Sequence, residues 1–182
     1  NRIVAPEETG SDNSERQKLK ITDWMLKRIL LTAKKPGNVD YGVENFIEIF
    51  KYRQEYKLRQ KTIQNCCPME FFQILPFVID GLDLDGNRLF IIRIKYYQKL
   101  AQFDVLIKHC LMYLMEQQDR LLEQGEFNGI TLLVDCQDFA YRNLNLDMVN
   151  FIITIAFKFP GLIRKVIMYE LAWAFTFVFK ML

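Results

Sequence analysis

Two of the 22 acidic residues, the one histidine and the four thiols are the residues whose type and placement could do chemistry. Asp135 closes an apolar run and Glu170 lies near the end of the next one. If both runs are strands of an open α/β sheet, these acids stand at the carboxyl ends, where such sheets place their sites. There they could act as an acid–base pair or as metal ligands, or each could bond the turn beside it. His109 is the only histidine, flanked by Lys108 and Cys110, and a helix-packing or surface role suits it better than base chemistry. No G-x-G-x-x-G, no G-x-x-x-x-G-K-[ST] and no G-x-S-x-G occurs, so phosphate cradles and nucleophile elbows lack support. Catalysis is therefore not the expected activity, and neither a metal nor a cofactor is expected. The cysteines, Cys66, Cys67, Cys110 and Cys136, form no C-x-x-C pair. Adjacent Cys66 and Cys67 could join only through a strained ring. Thiols inside apolar runs behave as small hydrophobes, a usage that suits a reducing compartment.

The 182 residues carry a net charge of only +2, so no global field calls for nucleic acid. Phenylalanine, at 15 residues, outnumbers Tyr and Trp together, which supplies bulk without polar handles for an apolar interior or pocket. Residues 1–14 are polar and acidic, without the apolar core of a signal peptide, and read as a disordered leader. Since the chain starts with Asn rather than Met, it is expected to be a fragment or processed product.

A helix is expected from Ile21, started by Asp23 and ended by the 36–38 Pro-Gly-Asn. A second begins near Val43, with Val43, Phe46, Ile47 and Phe50 on one face at helical spacing. Its later turns carry Lys51, Arg53, Lys57 and Arg59. That basic run is either a solvated face favoured by the helix dipole or a patch that meets membrane surfaces. Strands are predicted over 74–80, demoted to an edge by Pro76, and over 88–95 after the Asp85-Gly86-Asn87 turn. A long helix follows with Phe103, Leu106, Ile107, Cys110, Leu111 and Leu114 on one face, closed by Gly125. The run 130–136 reads as a central strand, Asn145 caps the next helix, and 165–171 reads as another buried strand. The order predicts helices followed by a mostly parallel sheet with crossover helices.

The closing stretch 166–182 is short for a membrane span and is interrupted by Glu170 and Lys180. It reads instead as a strand followed by a helix apolar all round, which must be buried or face something oily. If that helix roofs one face of the sheet, an apolar pocket lies beneath it. Ile130, Leu132 and Val134 share one strand face and could floor it.

Several stretches resemble the CRAL-TRIO lipid-binding domains. DLDGNRLFIIRIKY (83–96) is similar to the family's D-x-x-G-R-P-V-type hairpin, and GITLLVDC (129–136) to its G-x-x-x-x-x-D strand. FPGLIRKVIMYELAWAF (159–175) is similar to its Y-P-x-x-(aliphatic)…N-x-P-x-x-F signature, and the helices over 21–56 to its small N-terminal bundle. The resemblance implies a CRAL-TRIO-like α/β fold divided into a leader (1–14), a helical bundle (15–65) and a lipid-binding domain (66–182) cut short at its C-terminal end. It implies one hydrophobic ligand or phospholipid, exchanged at membranes, and a cytoplasmic protein, peripheral at the endoplasmic reticulum or other membranes and anchored if a membrane segment follows. It puts Ile130, Leu132, Val134, Phe159 and Val166 near the lipid, and Trp173, Phe175, Val178 and Phe179 on a gate helix. Ala172 stands where the family has proline. The alternative within the same fold is a protein-interaction or membrane-tethering module without lipid exchange.

Overall fold

The computed structural model describes residues 23–32, 38–74, 76–97, 100–138, 140 and 144–171. The predicted leader and the predicted gate helix, with Trp173, Phe175, Val178 and Phe179, lie outside the described residues. Among the described residues four α-helices come first: α1 (Asp23–Thr32), α2 (Val39–Glu55), α3 (Ile63–Cys66) and α4 (Met69–Ile74). Then follow β1 (Phe77–Leu82), β2 (Arg88–Arg93), α5 (Ala101–Glu123), β3 (Ile130–Asp135), α6 (Leu146–Lys158) and β4 (Ile163–Tyr169). The strands form one sheet in the order β1-β2-β3-β4. β1 runs antiparallel to β2, whereas β2, β3 and β4 are parallel. This is the expected fold class, N-terminal helices followed by a mostly parallel sheet with helices. Pro76 precedes β1, and its carbonyl accepts the Arg93 N–H, so the proline sits at the start of an edge strand where its missing donor costs nothing.

The start of α2 lies four residues before the predicted one. Asn38 caps it, its side-chain oxygen accepting the Tyr41 N–H at 3.0 Å. The fully buried residues of α2 are Gly42, Ile49 and Arg53, and Phe46 and Phe50 of its apolar face are half-buried. Val43 and Ile47 are exposed at 50% and 45%. The reason is close approach: a Cβ on Gly42 would stand 2.4 Å from Leu30 Cδ2, so α1 meets α2 where the side chain is missing. A bulky apolar stripe was a poorer guide to the contact than the one residue without bulk.

The hairpin turn between β1 and β2 is organised by Asp83. Its carboxylate accepts the N–H groups of Asp85 and Asn87, the Asn87 amide and, at 2.5 Å, the Thr131 hydroxyl of β3. The Thr131 bond, with the help of the Asn87 and Asp85 donors, holds the carboxyl down to about 2. Because the folded value lies below the unfolded one of about 3.9, the stabilisation is complete above that value and fades as pH falls toward 2. Thr131→Val is expected to raise the Asp83 midpoint toward its unfolded value, read by carboxyl-carbon NMR titration. An unchanged midpoint would assign the depression to the turn amides.

Period-two alternation divides the sheet into two unlike faces. Phe90, Ile92, Ile130 and Leu132 are buried in the main cluster with Ile107, Leu111, Met112 and Met115 of α5 and Met148 and Ile155 of α6. Phe77, Ile79, Val134 and Ile163 pack against that cluster. Leu58, Cys66 and Cys67 join it from the N-terminal side, with Trp24 and Tyr52 packed on it. The helical segment and the sheet thus share one core. The opposite face carries Val78, Ile91, Leu133 and Ile167, which the pairing register places side by side across all four strands. None of them belongs to the cluster or packs against it.

Candidate functional site

The acids that could have carried catalysis are placed as expected, at the carboxyl ends of adjacent parallel strands, since Asp135 pairs with Tyr169, one residue before Glu170. Asp135 accepts the Gln137 N–H at 3.0 Å, the local turn bond rather than a bond to a second acid. Glu170 adopts a left-handed φ of 51° at the turn after β4. His109 lies half-buried on α5, and burial lowers its pKa, with Lys61 adding in the same direction.

The five predicted pocket residues differ in environment among the described residues. Ile130 and Leu132 are 0% and 3% exposed in the helix-packed core, so the face they share is the covered one. Val134 packs against the same core. Phe159 is buried beneath the Arg53 guanidinium, 4.7 Å from its ring centroid. Val166 pairs with Leu132 and shares its face, but at the edge of the sheet it is 56% exposed. The strand period told which residues share a face and could not tell which face the crossover helices would cover.

Arg53 is a second correction. It does not face a membrane; it is 8% exposed and donates to Glu116 at 3.2 Å and to Asp119 at 2.7 Å. Arg28 of α1 meets the other Asp119 oxygen at 2.8 Å, and Arg120 reaches Glu116 at 3.1 Å. Three guanidiniums and two carboxylates thus tie α1 and α2 to α5. A signal existed: Arg53 follows Ile49 by one helical turn, and Glu116 and Asp119 stand three apart on a helix otherwise rich in buried apolar side chains. Lys51, Lys57 and Arg59 are exposed, as the basic-run reading requires.

Besides a hollow of about 370 Å³ beside Asp80, Arg88 and Glu126, two concavities stand out on the described residues. One, about 80 Å³, is lined mainly by Phe77, Ile92, Tyr97, Ile107, Leu111 and Met148 between the sheet and helices α5 and α6. It is smaller than the roughly 150 Å³ that admits benzene. At its rim Tyr97 donates to Asp104 at 2.5 Å, while Asn145 donates to both at 2.5 and 2.9 Å. Burial and then the Asp104 bond push the Tyr97 phenol to about 12, keeping it a donor. The same Asn145 caps α6 through its oxygen, accepting from Asp147 and Met148. The other is a wide groove of about 640 Å³ between α2 and the α6–β4 turn. Glu48 and Lys158 form an ion pair there, and its walls also carry Thr32, Asn45 and Arg164 beside Tyr41, Phe157 and Phe159, so they are part polar and part apolar.

The strand pairing, the aspartate turn and the helix-covered face all lie within residues 73–182, and those residues match the CRAL/TRIO domain. The chain belongs to the CRAL/TRIO domain family. CRAL/TRIO domains generally bind hydrophobic ligands. The match begins just before β1 and leaves α1, α2 and α3 upstream of it. Among the described residues of this CRAL/TRIO chain, no helix is long and apolar enough to cross a membrane.

Proposed function

We propose that this CRAL/TRIO chain binds one lipid-like molecule against the sheet face opposite α5 and α6, with the 173–182 segment as its gate. The observation that carries the reading is the unbroken aliphatic row of Val78, Ile91, Leu133 and Ile167 across all four strands. A flat row of branched side chains outside the core suits an acyl chain or a fused apolar ring system, and burying it removes apolar surface from water. Native mass spectrometry of the purified protein tests it. The wild type is expected to carry a hydrophobic adduct, and Leu133→Arg or Ile91→Arg to lose it while keeping its helical circular dichroism. Retention of the adduct in both variants would remove this face as the site.

Exchange at a membrane is the extension of that reading. On α2 the exposed Val39, Val43 and Ile47 stand four residues apart, and Lys51 continues the same line. An exposed apolar stripe bordered by Lys51, Lys57 and Arg59 has the character of an interfacial helix on anionic lipid. Flotation with phosphatidylserine-containing vesicles should therefore fall several-fold for Lys51→Glu/Lys57→Glu/Arg59→Glu and for Val43→Asp. Unchanged flotation would leave the basic run as a solvated face.

A further inference from the structure

The thiols of Cys67 and Cys110 are 43 positions apart in sequence and 2.7 Å apart in space. Both are buried, Cys67 at 5% and Cys110 at 3% exposure. Cys67 ends α3, its N–H bonded to the Ile63 carbonyl, and Pro68 then leads the chain toward the sheet. Cys110 lies midway along α5. We propose that Cys67 and Cys110 are an oxidisable dithiol, a modification site that a hydroperoxide converts into a disulfide stapling the segment before β1 to α5.

The two sulfurs have different parts. One of the two thiols donates its hydrogen to the other, and that bond holds Cys67 below the ordinary thiol range and Cys110 above it, which favours Cys67 as the sulfur that ionises. Its thiolate attacks one peroxide oxygen, the O–O bond breaks, and the departing oxygen takes a proton to leave as alcohol, or as water from hydrogen peroxide. Cys67 is then a sulfenic acid. The Cys110 sulfur attacks the Cys67 sulfur, the S–O bond breaks, and hydroxide leaves with the Cys110 proton as water. Two thiols lose two electrons and the peroxide gains them. Neighbouring thiols are set apart. Cys66 donates to Asn65 at 2.9 Å, and burial pushes its pKa up. Cys136 stands at the end of β3, donating toward the Val134 carbonyl, and is pushed up to about 11 by burial and Asp135.

Hydrogen peroxide is the appropriate probe, being the smallest hydroperoxide for a thiol with so little exposure. The reduced protein is treated at neutral pH, free thiols are alkylated, and peptides are mapped without reduction. A peptide pair linked through Cys67 and Cys110 is expected, with Cys66 and Cys136 alkylated. The unfolding midpoint should rise by several degrees, because the link restricts the unfolded chain, and return on adding dithiothreitol. Cys66→Ser should leave the link unchanged, and Cys110→Ala should leave a sulfenic acid on Cys67 that dimedone traps. Overoxidation of Cys67 without a link, alkylation of both thiols, or a link through Cys66 would each overturn the proposal. If Cys110→Ala fails to fold, the wild-type map decides by itself.

Discussion

Replacing Arg53 with alanine is expected to destabilise the protein by about 3–5 kcal/mol, the usual cost of removing one partner from a buried ion pair. The guanidinium stands between two acids, bonding Glu116 with one nitrogen and Asp119 with the other. Among the described residues, deleting it leaves Glu116, which is 2% exposed, with Arg120, and Asp119 with Arg28. The ring of Phe159 would also lose the cation stacked on it. Arg53→Lys should recover only part of the loss, because an ammonium is a point charge that cannot reproduce a planar fork aimed at two carboxylates. Against a typical total of about 5–15 kcal/mol, the alanine variant should show a large shift of the urea midpoint. Charge reversal at exposed Lys51 or Arg59 should stay within about 0.5 kcal/mol. Equal effects at Arg53 and Lys51 would contradict the buried network.

The second large effect separates the two faces of one strand. Leu132→Ala should cost about 2–5 kcal/mol, since the side chain is 3% exposed and packed in the central cluster. Leu133→Ala, one residue on, should cost well under half as much. Its side chain points to the other face, outside that cluster. Ligand loading should follow the opposite order, reduced by Leu133→Ala and retained by Leu132→Ala at temperatures where that variant is folded. Denaturant titration together with native mass spectrometry of both variants reads the two quantities separately. A Leu132 variant that is stable but empty would place the ligand on the helix-packed face.

Much of the fold was legible because its signals are local. Asn145 as a cap, Gly125 as a helix stop, the 85–87 turn and the demotion of the first strand by Pro76 all depend on residues near in sequence. The strand over 130–135 was read within one residue because an apolar run after glycine leaves few alternatives. Strand β4 lies two residues earlier than expected, where Phe159, Pro160 and Gly161 end α6 and release the chain. The site was less legible. Alternation grouped Ile130, Leu132 and Val134 correctly but carried no information about which side α5 and α6 would occupy. The apolar stripe of α2 was legible, and Phe46 and Phe50 in it are half-buried, but nothing in the pattern pointed to Gly42 as the place where α1 comes closest.

By itself, then, the sequence determined the order and type of the elements, the mostly parallel sheet they imply, and the family resemblance that residues 73–182 bear out. Hydrogen-bonding periods and turn chemistry are properties of neighbouring residues, so they can be read in one dimension. Tertiary structure alone decided that Arg53 is buried among acids 63 and 66 positions away, that Cys67 lies against Cys110, and that Leu133 rather than Leu132 points away from the core. Each is a contact between distant segments or a choice between faces, and burial and pairing of that kind exist only once the helices have packed on the sheet.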